Sequence, residues 1–401
     1  MAIPGPQLRS ALVVVGPSAG IARAAVRGSE SVILVGPNVG RLTGHLRPQV
    51  DELFSCDYSD EATLHALADV WTKAGDRISG VVSLTEEGLM PAAKLAAHLG
   101  VPGLRTTAVH ATRDKLRMRS ILAAECPHLT VRAVAANEVD QALELLSEVG
   151  TVVLKPADGT ASRDVQLLSS PAELLAAADG LKGFIVEEYV SGVEVSIESL
   201  SSNGRHDIVA IAEKRVSDNF VELAHLMPPV SLSADQVGSV HGAVYEALTA
   251  LGITDGPAHT EVMVGAGGVS VIESHTRPGG DGIADLVELT TGIDWRLACT
   301  TWPLGDRLPD PVPTAAAAAV VFFTAPPGVV REIRSEPPVL PGVEFEGWFV
   351  DVAPGDAVGP LRSSKDRLGA ARLTAGSTDA CVAAVDALLA MDVAVTDGRP
   401  S

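Results

Sequence analysis

Three short apolar runs within the first 84 residues constrain the fold of this chain more than any other feature. Residues 11–16 (ALVVVG), 31–36 (SVILVG) and 80–84 (GVVSL) each combine β-branched side chains with a glycine at one end. Between them, residues 22–27 and 61–74 suit helices, and 91–99 is a further helix closing at Gly100. Strands alternating with helices imply βαβ units around a parallel sheet, so residues 1–110 read as a Rossmann-like α/β domain. A dinucleotide site is not expected there. The first turn is GPSAG (16–20) rather than G-x-G-x-x-G, and close packing accounts for its glycines.

Beyond residue 110 alternation gives way to antiparallel pairing. Residues 112–124 (TRDKLRMRSILAA) read as a basic helix, 151–156 (TVVLKP) as a strand, DGTASRD as a small-residue turn and VQLLSS as the returning strand. A helix at 170–178 precedes strands at 184–189, 194–200 and 208–214. A helix at 234–251 then leads to strands 258–264 and 269–274, joined by GAGG. The last section has strands at 316–323 and near 346–352, and a helix at 378–389. The class is therefore α/β and α+β multidomain. We divide it at 1–110, 111–312 (with a smaller unit at about 120–190) and 313–401, a division that suits 401 residues, too many for one core.

Lys and Arg total 30 against 50 Asp and Glu, a net charge of −20. A surface of that sign repels nucleic acid and anionic lipid, and 3% aromatic content leaves few platforms for base stacking. Cys56, Cys126, Cys299 and Cys381 show no CxxC or zinc-ligand spacing, which fits reduced thiols. No apolar run reaches the ~20 residues of a membrane helix, and the first residues lack the ordered regions of a signal peptide. The expectation is a cytoplasmic protein acting on small molecules, with no nucleic-acid or membrane partner and a homodimer left open.

Three constellations carry chemistry. A three-residue hairpin loop at 266–268 would place Glu261 opposite Glu273, and like charges about 5 Å apart destabilise a sheet unless a hard divalent cation lies between them. Two-residue periodicity carries His275 and Arg277 onto the same face. Second, Lys155 ends a buried strand, where an unpaired charge is costly unless it meets an anion. The following Gly159, Thr160, Ala161 and Ser162 are small enough for backbone N–H groups to approach phosphate oxygens. Third, FIVEEYVSGVEV offers a hinge, Glu187, Glu188, Tyr189 and Val190, able to read an adenine edge, and Glu194 as an acceptor for ribose hydroxyls.

In this order the pieces resemble the ATP-grasp ligase family. The resemblance implies an ATP-grasp fold with an N-terminal Rossmann-like domain and a C-terminal carboxylase-like domain. It further implies that Lys115 and Lys155 contact nucleotide phosphates, that 158–164 cover them, and that Glu261 and Glu273 hold Mg²⁺, with Mn²⁺ as a substitute. Arg277 looks like the family's arginine that holds the transferred phosphoryl group. GPAHTEV, IESHTRPGGD and FVELAHLMPP resemble the L-amino acid (dipeptide) ligase branch, in which Glu222 and His225 match an E-x-x-H pair near the substrate amino group. Substrate contacts are also expected from Gly279, Gly280 and Asp281, the last with an alternative role as helix N-cap for 283–291. Two positions depart from the family: His275 stands where Asn is usual, with three readings open (a third metal ligand, a hydrogen bond to a substrate phosphate, or an altered metal preference), and Asp164 where glycine is common, expected to point away or pair with Arg163.

The implied reaction joins a carboxylate, such as an amino acid, to an amine through an acyl-phosphate, with ATP converted to ADP and phosphate. The alternatives are ATP-dependent carboxylation of bicarbonate and a nucleotide-binding regulatory protein without turnover.

Overall fold

The computed structural model describes residues 10–42, 46, 49–158, 164–177 and 181–398. Its first unit is a parallel four-stranded sheet in the order Glu52–Phe54, Val32–Val35, Ser10–Val15, Arg77–Val82. Leu12 and Val14 pack with Ile21, Ala22 and Ala25, whereas Val13 and Val15 pack with Leu64, Ala68 and Trp71. Helices cover both faces, which is why the run is continuously apolar. Gly16 has φ +62, and a Cβ there would lie 3.0 Å from Thr85 Oγ1 and 3.3 Å from the Tyr58 ring. Packing therefore accounts for that glycine.

The centre of the molecule is an antiparallel eight-stranded sheet. Its order is Gly268–His275, Gly256–Gly265, Val193–Ser202, Arg205–Val216, Glu222–Met227, Ala317–Phe322, Gly369–Ala375, Val343–Val350. One face is apolar: Val195, Ile197, Ala258, Val262, Val264 and Val271 share a core with residues of the helices Lys115–Glu125 and Ala234–Ala250. Register places Glu198, His259 and His275 side by side on the other face, and Ser196, Glu261 and Glu273 in the next row. Period-two alternation thus concentrates charge on one surface.

A second antiparallel sheet, ordered Ala133–Ala135, Phe184–Glu188, Val152–Pro156, Gln166–Leu168, contributes the other wall of the cleft. The strands after residue 313 extend the central sheet through Ala224↔Val321, so the two sections share one hydrogen-bonded surface. No helix among the described residues is long and apolar enough to cross a membrane.

Two local expectations change. The basic helix at 112–124 is broken at Asp114, which ends Thr106–Arg113 and caps Lys115–Glu125 by accepting from the Arg117 amide at 3.1 Å. Aspartate is among the preferred N-caps. The break makes Lys115 the first residue of a new helix, buried, with its amide donating to Ala157 O at 3.0 Å. The strand Glu222–Met227, absent from the periodicity reading, lies inside the sheet between Arg205–Val216 and Ala317–Phe322.

Candidate active site

The site begins with the register of the 256–275 hairpin. Its turn has two residues, not three, because Gly265 pairs with Gly268. That turn alone would misalign the glutamates by one residue. A bulge between Glu261 and Val262 on the register, with Ile272 as the extra residue, restores Glu261↔Glu273. Arg119 holds the bulge: its guanidinium donates to Val271 O and, at 2.7 Å, to Ile272 O. Its Nε donates to Glu187 at 2.7 Å, and Glu187 also pairs with Lys155 at 2.6 Å. Burial favours a neutral Glu187, but Arg119 and Lys155 outweigh it and hold the carboxyl at about 2.

Replacing Arg119 by methionine should cost about 3 kcal/mol, as breaking a buried ion pair does. Glu187 contributes stability above its unfolded value near 4.5 and loses it as pH falls toward its folded value of about 2. With one cation gone, acid unfolding should begin at higher pH, as circular dichroism against pH would show. An unchanged acid midpoint would contradict this linkage.

Glu261 and Glu273 are both ionised. Burial opposes their charge, but Lys214 and His259 hold Glu261, and Lys115 and His275 hold Glu273, below the usual carboxylate range. The distances are Lys214–Glu261 3.1 Å, His259–Glu261 3.2 Å, Lys115–Glu273 3.0 Å and His275–Glu273 2.7 Å. The closest contacts of both carboxylates run through Oε1. Two opposed, ionised carboxylates suit a hard divalent cation.

His275 lies between two carboxylates. Its Nε2 faces Glu273, and its Nδ1 lies 3.3 Å from Glu86. Burial lowers its pKa, yet the two carboxylates outweigh burial and raise it. His275 thereby links Glu273 on the central sheet to Glu86 of the first unit. Glu86 comes from the first unit, in the first turn of Glu86–Leu99. It also accepts from Arg277 Nε at 2.7 Å and is held at about 2 by His275 and Arg277, against the effect of burial.

Further along the face, Lys214 lies 2.7 Å from Glu194 and 3.5 Å from Glu222. Burial lowers its pKa, but Glu194, Glu261 and Glu222 together raise it. His225 is neutral, with its pKa driven to about 3 by burial and by Lys214; its buried Nδ1 has no hydrogen-bond partner among the described residues. Asp281, at φ +52, is gripped by Arg367 at 2.8 and 2.9 Å, while Gly282 is the N-cap of Ile283–Thr291. Asp281 is thus not the helix cap. Arg367 also stacks 3.6 Å over Phe322, and Ser364 donates to Glu222 at 2.9 Å, so the C-terminal section closes this end.

One cavity of about 350 Å³ gathers most of the expected residues: Lys115, Lys155, Glu187, Glu188, Tyr189, Val190, Glu194, Glu222, His225, Glu261, Glu273, His275, Arg277, Gly280 and Asp281. Gly279 is not in its lining, and Gly159, Thr160, Ala161, Ser162 and Arg163 lie outside the described residues. Asp164, the other departure, adopts φ +59. At the hinge, the Glu188 and Tyr189 amides already donate to Arg132 O and Thr151 O, at 3.0 and 3.2 Å. Other backbone groups would therefore have to read an adenine edge. Sequence reasoning missed Glu86, Arg119, Glu198, Lys214 and His259. Period-two alternation in VEVSIES and AHTEV carries a signal for Glu198 and His259; Glu86 and Arg119 have no local signature.

Residues 148–285 match the ATP-grasp domain model, and residues 321–391 match the L-amino acid ligase C-terminal domain 2. Residues 148–285 thus carry an ATP-grasp domain. The chain is 26% identical over 247 residues to the alanine–anticapsin ligase of Bacillus amyloliquefaciens, covering 54% of this chain and 52% of that protein. It is 29% identical over 250 residues to an uncharacterized protein of Sinorhizobium fredii, covering 59% and 51%. The chain spans about half the length of these curated relatives. Its fold resembles that of an L-amino acid ligase from Bacillus licheniformis (TM-score 0.73, 23% identity, 98% of this chain and 100% of that one). It also resembles a phosphoribosylglycinamide synthetase from Anaerococcus prevotii (TM-score 0.68, 17% identity, 98% and 100%).

Proposed function

We propose that this ATP-grasp chain is an ATP-dependent carboxylate–amine ligase that forms an amide or peptide bond between small molecules, with amino acids as the substrate class. The observation that carries this reading is the content of one cavity. Lys115, Lys155 and Arg277 line it together with the opposed Glu261 and Glu273, and with the neutral His225 beside Glu222. The relatedness to an alanine–anticapsin ligase supports the same class.

Lys115 and Lys155 neutralise the phosphate oxygens of ATP, and Arg277 neutralises the γ-phosphoryl group as it transfers. A substrate carboxylate oxygen forms the new P–O bond while the bond to the β-phosphate oxygen breaks, releasing ADP. The amine then attacks the acyl carbon, the C–O bond to phosphate breaks, and the departing phosphate takes the amine's surplus proton and leaves as hydrogen phosphate. Positioning and electrostatics supply most of the catalysis. Mg²⁺ held by Glu261 and Glu273 would supply further neutralisation of phosphate charge; both carboxylates are ionised and suit it. Arg277 must exchange Glu86 for phosphate during the cycle.

Amino acids supplied singly and in pairs, with MgATP, should give phosphate release that depends on a carboxylate plus an amine. Mass spectrometry should find one amide per ADP. Turnover with bicarbonate alone would favour carboxylation instead, and no nucleotide binding at millimolar MgATP would sink the proposal.

A further inference from the structure

Glu198 is a buried carboxylate, 1% exposed, outside the roles assigned above. It pairs with His259 Nδ1 at 2.5 Å and accepts from Trp295 Nε1 at 2.6 Å and from the Gly279 amide at 3.1 Å to both oxygens. On its far side, His259 Nε2 reaches Glu261 Oε1 at 3.2 Å. The result is a continuous chain from the turn after Arg277, through Glu198 and His259, to Glu261. Gly279 is fitted to it: a Cβ there would lie 2.7 Å from His259 Nδ1 and 2.8 Å from Glu198 Oε1.

Both ring nitrogens of His259 are engaged, Nδ1 by Glu198 and Nε2 by Glu261, so Glu198 fixes the ring and, with it, the direction of Glu261. Outer partners of metal-ligand side chains commonly matter 10- to 100-fold for metal affinity. At the other end, Gly280 and Asp281 line the cavity immediately after the amide that Glu198 holds.

We propose that Glu198 is a positioning residue that couples the metal-binding carboxylate Glu261 to the 278–280 turn beyond Arg277, through His259 on one side and the Gly279 amide on the other. The proposal rests on the nucleotide and metal reading of the cavity, but not on amide formation.

The test is calorimetric binding of ADP to the full chain, with Mg²⁺ and with EDTA. Glu198→Gln should raise the Mg²⁺ concentration for half-maximal tightening of ADP binding by about tenfold or more, with metal-free ADP affinity unchanged. Gly279→Ala should act in the same direction, because its Cβ displaces the His259–Glu198 pair although residue 279 touches neither Glu261 nor the cavity. It also decides the matter if Glu198→Gln fails to fold. Where turnover is measurable, the KM of the carboxylate substrate should rise in both variants. Folded variants with wild-type Mg²⁺ dependence would overturn the proposal, as would equal losses with and without metal. Wild-type ADP binding that responds to Mg²⁺ without any amide product would remove the ligase reading and leave this one standing.

Discussion

Arg277→Met should lower kcat about 10³-fold while leaving MgATP affinity within about threefold of wild type, because the lost group acts on charge that develops in transfer. The guanidinium lines the cavity beside Lys155 and Glu273 and is restrained by Glu86 at 2.7 Å and by the Pro278 carbonyl at 3.0 Å. That restraint keeps a long side chain in place before substrate arrives. Arg277→Lys retains the charge but not the planar fork, so it should recover only part of the rate. The stability cost should be modest, since Glu86 keeps His275 at 3.3 Å and Arg113 at 3.6 Å. Single-turnover phosphate release and nucleotide titration separate the two quantities. A kcat within tenfold of wild type would remove Arg277 from the transfer step.

The second large effect concerns Glu273→Gln. The exchange preserves shape but removes the charge facing Lys115 at 3.0 Å and His275 at 2.7 Å, and it halves the acidic pair opposite Glu261. Wild-type ADP binding should tighten on adding Mg²⁺, and a chelator should reverse the gain. In the variant that gain should fall at least tenfold, with turnover reduced about 10³-fold or more. Its melting temperature should move far less than its activity. If Mg²⁺ strengthens ADP binding equally in both proteins, Glu273 does not hold the metal.

Most of the fold was legible locally. Apolar runs such as LVVV and VILV mark strands covered on both sides, and the alternation in HTEV and SVIESH marks strands with one polar face. The same alternation placed Glu261, Glu273 and His275 on one surface. Their opposition was expected from a three-residue loop and is produced by a two-residue turn plus a bulge. A bulge has no dependable one-dimensional signature; here it is held by Arg119, some 150 residues earlier in the chain.

His275 shows the same division more sharply. Its residue type and spacing suggested a metal ligand, because nothing near it in the chain announces Glu86. Only docking of the first unit against the central sheet puts a second carboxylate beside that imidazole, and the two carboxylates outweigh burial and raise its pKa. Asp281 likewise looked like a helix cap until Arg367 arrived from the C-terminal section. By itself, then, the sequence determined the strands, the charged face and the ionisable groups on it, since these depend on period-two geometry and side-chain chemistry. The tertiary structure alone decided which groups are ionised and which partners they hold, because burial and ion pairing are set by residues distant in the chain.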